Sequence, residues 1–278
     1  MTKDPVERAR RARPRGWQAP GPPPAGPCGR ADLEPRDGEM LAFLCGDWRI
    51  FQLERGHRWS LDDFMTALVA FEEGRNVKRA LDLGCGIGAV LMMVAWHFAE
   101  ARVVGVEAQT ESATLARRSL AYNGADARCE VRVGDLRDGV PSAFDLVTAT
   151  PPYIPSGHGL VSPRPQRGAC RIETRGGIED YCLAAARALA PEGVFVTCAG
   201  AQGPSDRCQR AARAAALHIY RSVEVVPREN KPTLLWVHAM SLSPREPHHQ
   251  RFVVRDAAGN VTQAMHRARE QLGLPPQA

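Results

Sequence analysis

"LDLGCGIGAV", Leu81 to Val90, sets a short apolar run, a loop with glycine at 84, 86 and 88, and the start of a second apolar run end to end. Glycines between a strand and a helix let the backbone approach a ligand closely and turn sharply into the helix, whose first N–H groups have no partner within it. The stretch therefore predicts a strand, a ligand-binding loop and a helix near Gly88 to Glu100.

The same alternation continues downstream. "RVVGVE" precedes a helix near Thr110 to Tyr122, and "CEVRVGD" and "FDLVTAT" follow. A helix near Ile178 to Leu189, "GVFVTCA", a helix near Pro204 to Leu217 and paired runs near "YRSVEVV" and "TLLWVHAM" complete the series. Strands alternating with helices give an α/β fold, a parallel sheet covered on both faces. The last two runs are joined by too short a loop for parallel pairing, so they are expected as an antiparallel hairpin at the sheet edge. Upstream, Trp48 to Leu53 has strand composition, and Ser60 with Asp63 three residues on makes a capping-box start for a helix through about Glu73. Downstream, "FVVRDAAGNVTQAMHRAREQLGLPP" predicts a short strand, a Gly-Asn turn and a helix begun by Thr262 and stopped by Gly273 and Pro275.

Four regions follow: a basic, Pro-rich segment over 1–36 with no packable face, a strand and helix forming a lid over 37–77, a catalytic domain over 78–240 and an extension over 241–278. The 278 residues are 44% hydrophobic and 24% charged, enough to bury a large core. The formal charge of +5 favours an anionic partner. Eight cysteines stand singly, with no C-x-x-C pair and no Cys/His set at zinc spacing, so reduced thiols, a cytosol-like compartment and no metal are expected. No apolar run is long enough to span a bilayer, and no membrane partner is expected.

The glycine loop alone suits more than one nucleotide ligand. Read as G-x-G-x-x-A it fits a loose dinucleotide fingerprint, with Glu107 at a suitable distance for a ribose-binding acid. Asp82 favours a different ligand, because D-x-G-x-G-x-G ends the strand on a carboxylate suited to an ammonium group rather than a pyrophosphate. S-adenosylmethionine carries such a group. Glu107 could then accept from both ribose hydroxyls, and Asp135, in "VGDL", from the adenine amine. Gly84, Cys85, Gly86, Gly88, Ala108 and Leu136 complete the expected cofactor set.

"LDLGCGIG", "VVGVE", "VGDL" and "ATPPYIP", in that order, resemble the class I S-adenosylmethionine-dependent methyltransferases, whose Rossmann-like fold has seven strands ending in an antiparallel hairpin. "FQLERGHRWSLDD", "ACRIETRGGIEDYCLAAARALAPEGVFVTC" and the closing "FVVRDAAGNVT" extend the likeness to the bacterial tRNA (adenine-N6) methyltransferases. In that family, and in DNA adenine and release-factor glutamine methyltransferases, the fourth strand ends in Asn-Pro-Pro-Tyr or a close variant.

The resemblance places Thr150, Pro151, Pro152 and Tyr153 at the acceptor. An amine conjugated to a purine is a poor nucleophile because its lone pair is delocalised into the ring. Accepting its two N–H hydrogens at a side-chain oxygen and a backbone carbonyl draws the nitrogen toward a tetrahedral shape, and each such interaction can contribute about 3 kcal/mol in the transition state. The prolines hold the backbone, and Tyr153 offers a flat face for a splayed-out base. Position 150 departs from the pattern: it is threonine, whose single oxygen accepts an N–H only if its own hydrogen goes elsewhere.

Arg164, Arg167, Arg171 and Arg175 follow in a long loop expected over the acceptor pocket, either as phosphate contacts or as a solvated face. Trp48, Phe51 and Trp59 interleave with Arg49, Arg55 and Arg58, a nucleic-acid platform or core aromatics. His57 and His158 have no metal-like partner at useful spacing and are assigned no catalytic role. The implied function is N-methylation of an adenine amine in RNA, most simply tRNA. Three alternatives stay open: a protein glutamine methyltransferase, a small-molecule amine methyltransferase and a non-catalytic RNA-binding chain.

Overall fold

The computed structural model describes residues 16–153, 173, 175–201 and 206–277. Its elements in chain order are β1 (Glu39–Phe43), β2 (Arg49–Leu53), α1 (Leu61–Glu73), β3 (Arg79–Leu83), α2 (Ala89–His97), β4 (Arg102–Glu107), α3 (Thr110–Tyr122), β5 (Cys129–Val133) and β6 (Phe144–Ala149). They continue with α4 (Ile178–Ala188), β7 (Leu189–Gly200), α5 (Arg207–Ala214), β8 (His218–Val226), β9 (Leu235–Ser241), β10 (His248–Val253) and α6 (Gln263–Gln271).

The apolar runs on either side of the glycine loop become adjacent parallel strands, β3 lying between β4 and β6. The sheet runs β10-β8-β9-β7-β6-β3-β4-β5, with β7-β9 and β9-β8 antiparallel and every other pairing parallel. The α/β class and the β8/β9 hairpin are as expected, but the sheet has eight strands and the hairpin is not its edge. β10 pairs in parallel with β8 and takes that place, so the first part of the expected extension over 241–278 is continuous with the sheet. The hydrophobic strand signal begins at Phe252, whereas pairing starts at His248, where backbone hydrogen bonds to β8 order a polar, exposed edge. α6 forms as expected, the Thr262 hydroxyl accepting from the Met265 N–H at 3.2 Å.

Two apolar clusters fill the two faces of the sheet. One joins α1, α2 and α3 to the sheet, and the other lies under α4 and α5. The lid region rests on α3: buried Asn123 accepts from the Arg49 N–H at 2.8 Å and donates to its carbonyl at 2.7 Å, while Ser119 accepts from the Phe51 N–H at 2.9 Å. Trp48 and Phe51 are therefore core aromatics. β1, which pairs antiparallel with β2, was not expected from the sequence.

The expectation of an unpacked segment through residue 36 fails for residues 16–36. Apolar faces are scarce there, but backbone carbonyls serve instead: the Arg118 guanidinium donates to those of Asp32 (2.7 Å) and Glu34 (2.8 Å) and pairs with Glu39 at 2.7 Å. Leu33 is buried, and Gly21 lies so close to the Trp96 ring that a Cβ there would meet it at 2.5 Å. Residues 1–15 lie outside the described residues.

Candidate active site

A cavity of about 460 Å³ opens at the carboxyl ends of β3, β4, β5 and β6, the end at which open parallel sheets bind ligands. Its walls bring together Gly84, Cys85 and Gly86, Glu107 and Ala108, Asp135 and Leu136, and Thr150, Pro151, Pro152 and Tyr153. Its volume is within the ordinary range for small-molecule sites, about 300–1,000 Å³.

The loop after β3 is shaped as the glycines predict. Gly84, Gly86 and Gly88 all have positive φ, and a Cβ on Gly84 would stand 2.4 Å from the Tyr181 hydroxyl. Glu107, 6% exposed, accepts the Gly86 N–H at 2.8 Å on one carboxylate oxygen and the Gln109 N–H at 2.7 Å on the other. Each oxygen keeps acceptor capacity for a ligand hydroxyl. Burial, partly offset by those two N–H groups, raises its carboxyl above the ordinary range. Asp135 faces the cavity while paired with Arg137 at 2.6 Å, and that hydrogen bond, first among the causes, lowers its carboxyl below the usual value.

Asp82 and Gly88 do not line the cavity. Asp82, 3% exposed, lies beneath the loop, accepting from the Thr148 hydroxyl at 2.8 Å and from the Leu91 N–H at 3.0 Å. It thus ties the start of α2 to β6, and burial pushes its carboxyl up to about 7. Gly88 is the N-cap of α2, where a Cβ would meet Ala116 at 3.0 Å.

At the other end, Tyr153 is 38% exposed and its ring covers Gly200, where a Cβ would lie 2.7 Å from it. Thr150 is half-buried and lines the cavity together with Asp63. Asp63, with Asp62, Arg58, Trp59 and His57, brings the lid region into the cavity wall. Sequence reasoning missed Asp63, because its spacing from Ser60 is explained by helix capping alone. Arg175 also lines the cavity, whereas Arg164, Arg167 and Arg171 lie outside the described residues.

No group of three His, Cys, Asp or Glu among the described residues is arranged to hold a metal ion. The seven described cysteines are free thiols, and Cys85 and Cys198 are driven well up by burial. Among the described residues, no helix is long and apolar enough to cross a membrane.

Residues 60–160 match the methyltransferase small domain family. The chain is 33% identical over 124 residues to a tRNA1(Val) (adenine(37)-N6)-methyltransferase of Citrobacter koseri, covering 43% of this chain and 50% of that protein. It is 36% identical over 114 residues to a release factor glutamine methyltransferase of Caulobacter vibrioides, covering 40% of this chain and 39% of that one. The matched region thus spans about half the length, or less, of these relatives. The crystal structure of a predicted O-methyltransferase from Agrobacterium tumefaciens superposes with a TM-score of 0.57 at 20% identity, over 78% of this chain and 98% of that one, a likeness of fold. Sheet order and the Agrobacterium likeness give the chain the class I methyltransferase fold, and its residues 60–160 carry the methyltransferase small domain match.

Proposed function

We propose that the protein methylates an exocyclic adenine amine in RNA, with tRNA as the RNA class. The observation that carries this reading is the shared cavity: the turn from Thr150 to Tyr153 opens into the space bounded by the glycine loop and Glu107.

The residues present fit S-adenosylmethionine. Glu107 offers two oxygens, each with capacity left, to a ribose diol. The loop at Gly84 and Gly86 lines the same cavity, and a Cβ on Gly86 would meet nothing within 4 Å. Asp82 supports that loop from below instead of touching the ligand. When bound, the cofactor supplies a methyl group on a sulfonium, already electrophilic.

The chain's remaining task is to present the acceptor nitrogen. Thr150 and the backbone at Pro151 and Pro152 accept its N–H hydrogens, and Tyr153 stacks on the base, holding reactants at attack distance. The nitrogen takes the methyl group and then loses its extra proton to water, so no side chain has to act as a base. The formal charge of +5 and the cavity arginines Arg58 and Arg175 suit a phosphate backbone, and the Citrobacter relative is named for a tRNA adenine.

A second reading, glutamine N-methylation of a protein, is favoured by the Caulobacter relative. A carboxamide nitrogen has an equally delocalised lone pair and needs the same two acceptors. Incubating the protein with methyl-labelled cofactor and, separately, total RNA or total protein distinguishes them: label enters RNA on the first reading, and label confined to protein overturns it.

A further inference from the structure

A second cavity, of about 190 Å³, adjoins the first, and Pro151, Pro152 and Tyr153 line both. The glycine loop, Glu107 and Asp135 line only the larger one, so the second lies apart from the place of methyl transfer. Its volume is below the range of about 300–1,000 Å³ for sites that enclose a whole small molecule, and suits one group of a larger ligand. The wall away from the acceptor turn is the antiparallel part of the sheet with its edge strand: Trp236 and His238 on β9, Ser222 on β8 and exposed His249 on β10. Ser222 stands in register between His238 and His249.

That wall is both aromatic and polar. Residues two apart on a strand face the same way, and the Trp236 and His238 rings stand parallel within 6°, their centroids 6.2 Å apart. Trp236 is half-buried, which leaves indole surface in the wall. His238, 3% exposed, meets the Ser222 hydroxyl through Nδ1 at 2.9 Å. Among the described residues that hydroxyl has no other acceptor, so it donates to Nδ1, and the neutral ring carries its proton on Nε2. Burial, followed by the charge of His249, lowers the ring's pKa to about 4 and so keeps it neutral. Nε2 has no partner among the described residues. A donor held at a buried wall without a partner is unfavourable, and it calls for a ligand that brings an acceptor.

We propose that the second cavity is a subsite for the nucleobase next to the methylated adenine, which stacks on Trp236 and accepts a hydrogen bond from His238 Nε2. The proposal rests on the RNA-methylating function above. Every nucleobase has a π-face for the indole and a ring nitrogen or carbonyl oxygen for the imidazole, so the subsite takes the class of ligand with little regard to sequence. Unstacked bases splayed onto aromatic side chains are the usual way in which single-stranded RNA is held. Tyr153, common to both cavities, keeps the two bases apart, and holding the neighbour steadies the adenine at the cofactor. A polypeptide brings a flat ring beside its glutamine only where its sequence happens to supply one, so RNA is the occupant that this wall suits.

The test removes the neighbouring base and the tryptophan in turn. The tRNA that accepts label is rebuilt from synthetic pieces with an abasic residue immediately 5′ or 3′ of the methylated adenine. Single-turnover transfer at subsaturating protein is then measured for the parent and Trp236→Ala. One of the two abasic RNAs is expected to react about 5–100-fold more slowly than intact RNA with the parent, through the lost stacking. With Trp236→Ala the same RNA should lose no more than about 3-fold, because the base and the ring it stacks on form one interaction. Cofactor affinity, read by calorimetry, should stay within about 3-fold. Equal slowing in both proteins, or slowing at neither position, overturns the subsite and leaves the RNA reading standing. If Trp236→Ala does not fold, Trp236→Leu, which keeps apolar bulk without a π-face, runs the same cycle under the same criterion. Label entering protein alone overturns both the RNA reading and the subsite. If no pool accepts label, ultraviolet crosslinking of the parent to total tRNA decides: a nucleotide on the peptide that holds Trp236 supports the subsite, and crosslinks only elsewhere, or none, overturn it.

Discussion

Two buried aspartates near the end of β6 stand in two different settings. Asp82 accepts from the Thr148 hydroxyl, and both Asp82 and Asp63, buried alike, accept a backbone N–H near the start of a helix, from Leu91 in one case and Ser60 in the other. Asp82 is sealed beneath the glycine loop, whereas Asp63 lines the cavity. Residue type and bonding pattern are therefore a poor guide to role here. Access to the cavity separates the aspartate that holds the sheet to a helix from the one that faces the site.

The largest expected effect breaks the sealed pair. Asp82→Ala leaves the Leu91 N–H and the Thr148 hydroxyl without their partner in a buried site, at about 1–3 kcal/mol for each group. For a chain of this size each kcal/mol lowers the melting temperature by roughly 2–4 °C. A drop of about 5–15 °C in a thermal melt is expected, and an unmoved melting point would show that Asp82 holds nothing together.

Glu107 sharpens the contrast as another buried carboxylate, one on the cavity wall. Glu107→Ala should weaken S-adenosylmethionine binding by roughly 10–100-fold, equivalent to about 1–3 kcal/mol for ligand hydroxyls left unpaired. Calorimetry reads this directly, and unchanged affinity would remove Glu107 from the cofactor site.

The smallest effect is on the pH dependence of stability. Asp82 has its carboxyl raised from 3.8 to about 7 in the folded protein, so its contribution to stability is full below the unfolded value and is lost as pH rises through the folded one. Between those values the slope from this group approaches about 1.4 kcal/mol per pH unit. Asp63 and Glu107 shift in the same direction, so the parent's melting temperature should fall as pH rises from 5 toward 7. Asp82→Asn should flatten that fall, and an unchanged slope would contradict the assignment.

How much of this was legible in the sequence depends on the distance over which each signal acts. The glycine loop, the strand-end acids and the β8/β9 hairpin are local patterns of apolar period and turn chemistry, and they predicted the sheet well. β10 was read only from Phe252, because its first residues, "HHQR", pair through backbone alone. Residues 16–36 have too few apolar side chains to announce packing, and what orders them is a guanidinium far along the chain, that of Arg118. The place of Asp63 in the cavity wall was hidden by a sufficient local explanation, the capping spacing from Ser60. Asp82 shows the opposite error, for a motif position suited to a ligand contact turned out to be sealed below the site.

The central claim is that the cavity at Thr150–Tyr153 methylates adenine in tRNA. It is tested most directly by single-turnover reaction of the protein with S-adenosylmethionine and total tRNA, followed by digestion to nucleosides and mass spectrometry. The account predicts N6-methyladenosine, formed at a rate that Thr150→Ala lowers by up to about 10²–10³-fold without loss of cofactor binding. A methylated nucleoside other than N6-methyladenosine, or methyl groups only on protein glutamine, would contradict it.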